Sequence, residues 1–360
     1  MRHILLLILI STISVSLGLS QRPSPEVSKN DEAVFTKCWA YQIGERPGTA
    51  LAGDASSTFV GTDGGGLLAV SADGRKLWST DLGGEITSNI ETAGELLFVV
   101  TSASGKSPAS TLRGLSRATG VARWSMNVAN SSRQWIFARQ DSVIVVSNDG
   151  TASSFEAGSG KIRWSSVLHA SVNVVASADG SHILAATGSK IVVIGDDGRL
   201  ENMTTDGTES SYIAAGSSKG VLTGDSRGSL SLFGGHAKPV WKYRTGGAIS
   251  YIIPGETSII VASHDNFVYS ISSYRGSVNW KRRLAGRAAI LRSLDKDLLL
   301  VGLADGGDLI AIDVEHGRPA GQIVLGTEEH VSGISQAGPD GRFSILAEQT
   351  LYRYSTKSCS

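Results

Sequence analysis

Short apolar runs separated by glycine-rich turns dominate the chain after residue 33. The first clear pair is Thr58–Gly61 and Leu67–Val70, which flank the turn Asp63–Gly66 and precede the more polar run Lys76–Leu82. Asp-Gly and Gly-Gly steps supply the positive φ angles that tight hairpins require. No window places apolar residues at the three- and four-residue spacing of an amphipathic helix. The pattern therefore predicts an all-β chain built from hairpins.

A short motif recurs along the chain, in which a glycine is followed four residues later by a tryptophan on a strand. Gly160–Trp164 is the clearest copy. The corresponding positions are Trp39, Trp78, Trp124, Trp164, Asn202, Trp241, Trp280 and Gly321. Neighbouring positions are separated by 38 residues (164 to 202) to 46 residues (78 to 124), which is the length of one four-stranded propeller blade.

The six tryptophans of this motif are predicted to have a structural role. An indole on the outer strand of one blade can cover a turn of the neighbouring blade and bury a large apolar area. These structural docking tryptophans are Trp39, Trp78, Trp124, Trp164, Trp241 and Trp280. We expect weaker packing at the two junctions where Asn202 and Gly321 stand in place of tryptophan.

The two ends of the chain complement each other. After position 321 there are three further strand-like runs, Val331–Ile334, Phe343–Ala347 and Thr350–Tyr354. The run Phe35–Ile43 carries a tryptophan but has no three strands before it. Joining the two ends completes a blade and removes two open sheet edges. The prediction is an eight-bladed β-propeller of four-stranded blades, whose last blade is closed by the N-terminal strand.

The chain contains two cysteines, Cys38 and Cys359. Cys38 lies on the predicted closing strand and Cys359 lies just beyond the last strand, so antiparallel pairing brings them near each other. A disulfide between them would close a loop of almost the whole chain, worth at most roughly 5 kcal/mol in the chain-entropy model. Two free thiols are the alternative.

The N-terminal segment is predicted to be a secretory signal. Arg2 and His3 precede the apolar run Ile4–Ile10, and a more polar segment ends near Ser20. We expect residues 1–20 to be a cleaved signal peptide, 21–33 a flexible leader and 34–360 a single propeller domain. The expected localisation is secreted or periplasmic, without a membrane span after cleavage. There is no cysteine near the expected cleavage point to carry a lipid anchor; an uncleaved signal anchor is the alternative.

Charge and motif content point away from several functions. Lys plus Arg and Asp plus Glu both number 33, which argues against a nucleic-acid partner. The seven histidines show no metal-binding spacing, and no nucleophile-elbow pattern is found. No catalytic, cofactor-binding or metal residue is predicted.

The candidate partner-binding residues are those that the repeat does not explain: Trp135, Arg282, Arg283, Arg287, Asp206 and Glu209. The alternative explanations without a binding role are that Trp135 is an extra core aromatic and that the charged residues are ordinary solvated side chains.

The stretches Ala72–Trp78, Ala118–Trp124 and Ser159–Trp164 resemble the pyrroloquinoline quinone (PQQ) enzyme repeat, and the resemblance extends over residues 34–355. It implies a PQQ-like propeller. This superfamily includes quinone-dependent alcohol and sugar dehydrogenases and also the non-catalytic outer-membrane assembly factor BamB. The dehydrogenases are expected to bring a calcium or lanthanide site and, in many cases, a disulfide between adjacent cysteines. This chain has no adjacent cysteine pair.

Together these observations predict a monomeric, non-catalytic propeller scaffold that binds protein partners, with a role in envelope or outer-membrane protein assembly and without a cofactor. Two alternatives stay open. One is a PQQ-dependent dehydrogenase or another small-ligand-binding propeller. The other is a eukaryotic ER-luminal or extracellular module, because Asn130-Ser131-Ser132 and Asn202-Met203-Thr204 match the glycosylation sequon.

Overall fold

The computed structural model describes residues 35–103, 109–178, 182–203, 205–216, 220–326, 329–335 and 338–359. The predicted signal peptide (1–20) and leader (21–33) lie outside these residues. The described residues form 33 β-strands and no helix. They are arranged in eight sheets, which confirms the predicted eight-bladed, all-β architecture.

The strands are numbered in chain order. The first four blades follow strand β1 (Thr36–Gln42), and their strands are as follows. Blade one has β2 (Pro47–Gly53), β3 (Ser57–Thr62), β4 (Gly66–Ser71) and β5 (Lys76–Asp81). Blade two has β6 (Glu85–Ile86), β7 (Glu91–Ala93), β8 (Leu96–Ala103), β9 (Ala109–Ser116) and β10 (Ala122–Val128). Blade three has β11 (Gln134–Ala138), β12 (Ser142–Ser147), β13 (Thr151–Glu156) and β14 (Ile162–Val167). Blade four has β15 (Val174–Ala178), β16 (His182–Thr187), β17 (Lys190–Ile194) and β18 (Leu200–Met203).

The remaining blades repeat this order. Blade five has β19 (Tyr212–Ala215), β20 (Val221–Gly224), β21 (Ser229–Phe233) and β22 (Trp241–Arg244). Blade six has β23 (Ile249–Ile253), β24 (Ser258–Ser263), β25 (Phe267–Ser272) and β26 (Val278–Arg283). Blade seven has β27 (Ala288–Ser293), β28 (Leu298–Leu303), β29 (Leu309–Asp313) and β30 (Pro319–Ile323). Blade eight has β31 (Val331–Ile334), β32 (Arg342–Ala347) and β33 (Thr350–Ser355), with β1 as its outer strand.

The N-terminal strand closes the ring, as the sequence predicts. β1 pairs antiparallel with β33, from Thr36 opposite Ser355 to Gln42 opposite Thr350. Each neighbouring pair in this blade is antiparallel, so the sheet order is β1, β33, β32, β31. The blade therefore contains strands from both ends of the chain, and its outer edge strand comes from the N-terminus.

The hydrophobic core is divided among the junctions between blades. At each of the eight junctions a cluster of buried side chains is contributed by the two blades that meet there. The junction of blades eight and one, for example, contains Val60, Leu68, Leu346 and Leu351. Because alternate residues of a strand point to opposite faces, each central strand serves two clusters at once. The core thus forms a closed ring.

Candidate interaction surface

The six predicted docking indoles lie at junctions between consecutive blades. Each Nε1 donates a hydrogen bond to a backbone carbonyl in the turn between the third and fourth strands of the next blade, over 2.7–3.0 Å. The pairs are Trp39 with Ala72, Trp78 with Arg117, Trp124 with Ala157, Trp164 with Asp196, Trp241 with Ser273, and Trp280 with Val314. A single contact is thus repeated at six of the eight junctions.

A glycine of the same turn lies directly against each ring. Gly276 has a φ of +67°, and a Cβ placed on it would lie 2.6 Å from Cδ2 of Trp241. Such an atom has no room, and the positive φ also disfavours a side chain. The equivalent glycines at the other five junctions are Gly74, Gly120, Gly160, Gly198 and Gly317. The glycine and the tryptophan of the repeat therefore meet across blades and not within one blade.

The acceptor carbonyl follows a simple rule of register. In blade six, Ser270 of the third strand pairs with Trp280, and the carbonyl that accepts the incoming indole belongs to Ser273, three residues after Ser270. The same offset of three holds in blade four, where Val193 pairs with Glu201 and Asp196 is the acceptor. By this rule Glu201, and not Asn202, occupies the tryptophan position of blade four.

In most repeats that carry a tryptophan, it follows the turn glycine by four residues, and counting four residues from Gly198 gives Asn202. In the structure the tryptophan position of blade four is Glu201, one residue earlier. Blades one, two, three, six, seven and eight have a register shift beside this position, whereas β17 and β18 pair without one. Asn202 lies opposite Val192, and Glu201 lies opposite Val193. Val193 packs towards blade five, so the exposed Glu201 side chain shares the side on which other blades carry an indole.

The two junctions without tryptophan differ in packing. At the junction of blades seven and eight, Ala320 and Ile323 join Phe343 in one buried cluster, and the Phe35 ring packs edge-on against Phe343 at 6.0 Å. This junction is filled despite Gly321. At the junction of blades four and five, a groove of about 520 Å³ remains open. The expected loss of packing is therefore found only at the second junction.

A disulfide joins Cys38 to Cys359. It lies at the junction of the two chain ends, next to the last residues of the β1–β33 pair. Nearby, the buried guanidinium of Arg353 donates to the Ser344 hydroxyl at 3.0 Å and to the Asp54 carbonyl of blade one at 3.1 Å. Covalent and hydrogen bonds thus reinforce the place where the ring closes.

The ring has two different faces. One carries the segments that join consecutive blades together with the hairpins between second and third strands, and we call it the connection face. The other carries the turns that accept the indoles, and we call it the turn face. Arg287, Asp206 and Glu209 lie in joining segments and are exposed on the connection face.

The predicted basic cluster is divided by the structure. Arg282 is half-buried, and its Nε donates to the Gly317 carbonyl of blade seven at 2.7 Å. Arg283, the last residue of β26, and Arg287, in the segment that follows, are exposed. Arg282 therefore takes part in a contact between blades, while Arg283 and Arg287 are accessible to solvent.

Asp206 and Glu209 attach their loop to neighbouring blades. The Asp206 carboxylate contacts Nζ of Lys242 at 3.2 Å, and the Glu209 carboxylate accepts a hydrogen bond from Asn173 at 2.9 Å. Partial burial acts to raise the pKa of Asp206, but hydrogen bonds from Thr208 and Lys242 and the charge of Lys242 hold it below its usual range. These acids fix the loop that joins blades four and five.

Trp135, the tryptophan outside the repeat, lies on β11, the inner strand of blade three. It is half-buried and packs against the cluster between blades three and four. The guanidinium carbon of Arg133 lies 4.9 Å from its ring centroid, within the range of a cation–π contact. Part of the Trp135 side chain therefore belongs to the core, which agrees with the alternative that it is an extra core aromatic.

A polar cleft of about 700 Å³ opens where blades eight, one and two meet, and we call it the seam cleft. Its ionisable lining residues are Arg46, Asp63, Glu85, His330 and Glu348. Arg46 and Asp63 form an ion pair at 3.4 Å, and Nδ1 of His330 lies 3.3 Å from the Glu348 carboxylate. No signal in the sequence indicated this cleft, because its residues come from distant repeats.

Within the described residues, no group of three or more histidine, cysteine, aspartate or glutamate side chains is arranged to hold a metal ion. The described part of the chain also has no helix long and apolar enough to cross a membrane.

Fold, closure and repeat define an eight-bladed propeller of the PQQ-like class. The family model described as outer membrane protein assembly factor BamB matches residues 26–135, 107–218 and 202–352, and the chain belongs to this family. The crystal structure of BamB from Moraxella catarrhalis is similar, with a TM-score of 0.63 and 16% identity over 89% of this chain and 98% of that one. The crystal structure of the computationally designed Ika8 protein gives a TM-score of 0.72 and 13% identity over 89% of this chain and 99% of that one. No sequence among the curated proteins matches.

Proposed function

We propose that this protein is a non-catalytic propeller scaffold outside the cytoplasm that binds a protein partner through its connection face, in the assembly of envelope or outer-membrane proteins. The observation that carries the proposal is the match to the BamB family along residues 26–352. The Cys38–Cys359 disulfide supports the compartment, because such bonds persist in oxidising environments such as the periplasm.

The seam cleft is the best candidate for the contact with this partner. Its walls are strands and tight hairpins of three blades, so little conformational freedom is lost when a partner binds. Its ion pairs are solvent-exposed, with 83% of the Arg46 side chain accessible. Exposed pairs contribute little to stability, so a partner can replace them at low cost. Charges of both signs favour a partner with a complementary charged surface.

The experiment is a pair of charge reversals. Arg46→Glu alters the seam cleft, and Arg75→Glu is its matched control on the turn face. Both arginines are highly exposed, at 83% and 81% of their side chains, and each pairs with an aspartate of its own blade. In affinity capture from native envelope, Arg46→Glu should lose a salt-sensitive partner that both the parent chain and Arg75→Glu retain. Equal capture by both variants would refute the assignment to this cleft.

The absence of catalysis is part of the proposal and has a separate test. The protein is titrated with PQQ in the presence of calcium, and binding is followed by absorbance and calorimetry. We expect no saturable binding. Stoichiometric binding of the quinone, followed by alcohol- or sugar-dependent dye reduction, would replace the scaffold by an enzyme of the same fold class.

A further inference from the structure

The groove between blades four and five has the walls of an indole site without the indole. It is lined by Leu184 and Val193 of blade four and by Ala215 and Val221 of blade five, with Met203 at one side. Leu184 and Val221 are only 2% and 3% exposed, so both walls are continuous with the core. The six junctions that hold an indole show what this architecture accommodates: a flat aromatic side chain that enters from the outer strand.

The register predicts where the hydrogen-bond acceptor for such a ring would lie. In blade five, Leu232 of the third strand pairs with Trp241. Applied to blade five, the offset of three residues seen at the junctions that hold an indole places the expected acceptor at Gly235, and Gly235 lines the groove. A Cβ on Gly235, whose φ is +93°, would meet nothing within 4 Å. At the next junction along the chain, which holds the Trp241 indole, a Cβ on Gly276 would meet the ring at 2.6 Å.

A carboxylate stands where the indole would be attached. Glu201 occupies the tryptophan position of blade four and lines the groove. Among the described residues its carboxylate has no hydrogen-bond partner. An anionic group beside an apolar slot favours a ligand that carries a positive charge next to its aromatic ring.

We propose that this groove binds an aromatic side chain of a partner protein, best a tryptophan, in a segment where a lysine or arginine lies beside it. The partner's indole lies against the turn of blade five and donates to the Gly235 carbonyl, and its basic neighbour pairs with Glu201. The site thus completes in trans the contact that six other junctions make within the chain. Residues 1–34, which lie outside the described part of the chain, contain no Phe, Tyr or Trp that could fill the groove.

This inference rests on the proposed scaffold function and adds the chemistry of one contact. The probe is the peptide acetyl-Trp-Lys-amide, added to the full-length protein and followed through backbone amide shifts. A ligand of this size should bind with a dissociation constant of about 1 mM. The shifts should centre on Ala215, Val221 and Gly235. Shifts spread over the surface, or no saturation, would overturn the proposal.

Two substitutions at Glu201 separate shape from charge. Glu201→Trp supplies the ring from within the chain and should weaken probe binding by about tenfold or more while raising the melting temperature. Glu201→Gln should keep the binding of the ring but remove a preference of about threefold for acetyl-Trp-Lys-amide over acetyl-Trp-Glu-amide. Ser165→Trp, at an exposed position of β14, is the control for an added surface indole and should change neither quantity.

Failure of the groove and failure of the scaffold function give different results. If Glu201→Trp does not fold, Ala215→Leu fills the groove from the opposite wall and should weaken probe binding in the same way. Unchanged probe binding in the filled variant refutes the groove, whatever the capture experiment shows. Loss of the envelope partner in Arg46→Glu, together with unchanged probe binding there, leaves the scaffold function supported and places the two contacts at separate sites.

Discussion

Replacing Trp241 by alanine tests the contact that holds neighbouring blades together. Trp241 is the most buried of the six indoles, at 9% exposure, and its Nε1 donates to the Ser273 carbonyl of blade six at 3.0 Å. Truncation of a buried tryptophan removes its packing and leaves a cavity, which costs about 3–5 kcal/mol. Trp241→Phe keeps most of the packing but loses the donor, and we expect it to cost about 1–3 kcal/mol.

The glycine on the other side of this contact gives an independent measure. Gly276→Ala places a Cβ at a φ of +67°, which costs about 1–2 kcal/mol in backbone strain. The same atom lies 2.6 Å from the Trp241 ring. The shifts needed to remove this overlap destabilise the folded protein by about a further 1–3 kcal/mol. In the Trp241→Ala background only the strain remains. The double-mutant cycle should therefore show a coupling of about 1–3 kcal/mol between the two sites.

The assay is urea denaturation of the parent chain, the two single variants and the double variant, followed by circular dichroism. Gly83→Ala is the control for strain alone, since Gly83 has a similar φ of +72° and a Cβ there would meet nothing within 4 Å. Its cost should be the same with or without the indole at position 241. If Gly276→Ala costs as much in the Trp241→Ala background as in the parent chain, the stacking of ring on glycine does not contribute to stability and the reasoning is wrong.

Two further predictions concern a half-buried acid and the disulfide. Burial raises the pKa of Glu91 to about 7 against the hydrogen bond from Asn89. The unfolded chain loses this proton near pH 4.5, so stability should fall by up to about 3 kcal/mol between pH 4.5 and 7. Glu91→Gln should remove that fall and be the more stable protein at about pH 8; equal denaturation curves there would contradict it. Replacing Cys38 and Cys359 by serine should cost about 2–5 kcal/mol and speed amide exchange in β1 more than in β14; unchanged exchange in β1 would show that strand pairing alone holds the closure.

The fold was predictable because its signals are local and repeated. Asp-Gly or Gly-Gly steps mark turns in most blades, and six of the eight repeats end near a tryptophan at a spacing close to forty residues. Closure followed from a count of strands at the two ends of the chain. None of these steps requires knowledge of which side chains touch, so a single sequence was sufficient for the eight-bladed ring.

The inner strand of blade two was not predictable. It is broken into β6 and β7, and the gap is bridged to blade three by Asn89. The side-chain nitrogen of Asn89 donates to the Ile136 carbonyl at 2.9 Å, and its side-chain oxygen accepts from the backbone N–H of Ile136 at 2.8 Å. At this gap a side chain thus makes hydrogen bonds to blade three. One asparagine in a polar stretch carries no such information, because its partner lies 47 residues away.

The register between β17 and β18 in blade four could not be predicted from the sequence either. Counting from Gly198 assumes that every turn has the same length and every outer strand the same bulge. Blade four lacks the bulge, so the position shifts by one residue, and a shift of one residue exchanges the two faces of a strand. The observed register therefore assigns Glu201 to the face of the strand that lines the groove.

The candidate partner residues were chosen because the repeat does not explain them, and this criterion has a physical weakness. Residues outside a repeat pattern can still serve the repeat's own contacts: Arg282 binds the turn of blade seven, and Asp206 and Glu209 secure a joining loop. The opposite criterion is better founded in a ring of equivalent junctions. Where a junction keeps the walls of an indole site but lacks its own aromatic ring, we infer a binding site for an aromatic group like those that the other junctions hold. Glu201→Trp tests this criterion directly, since a gain in stability and a loss of peptide binding must come from the same groove.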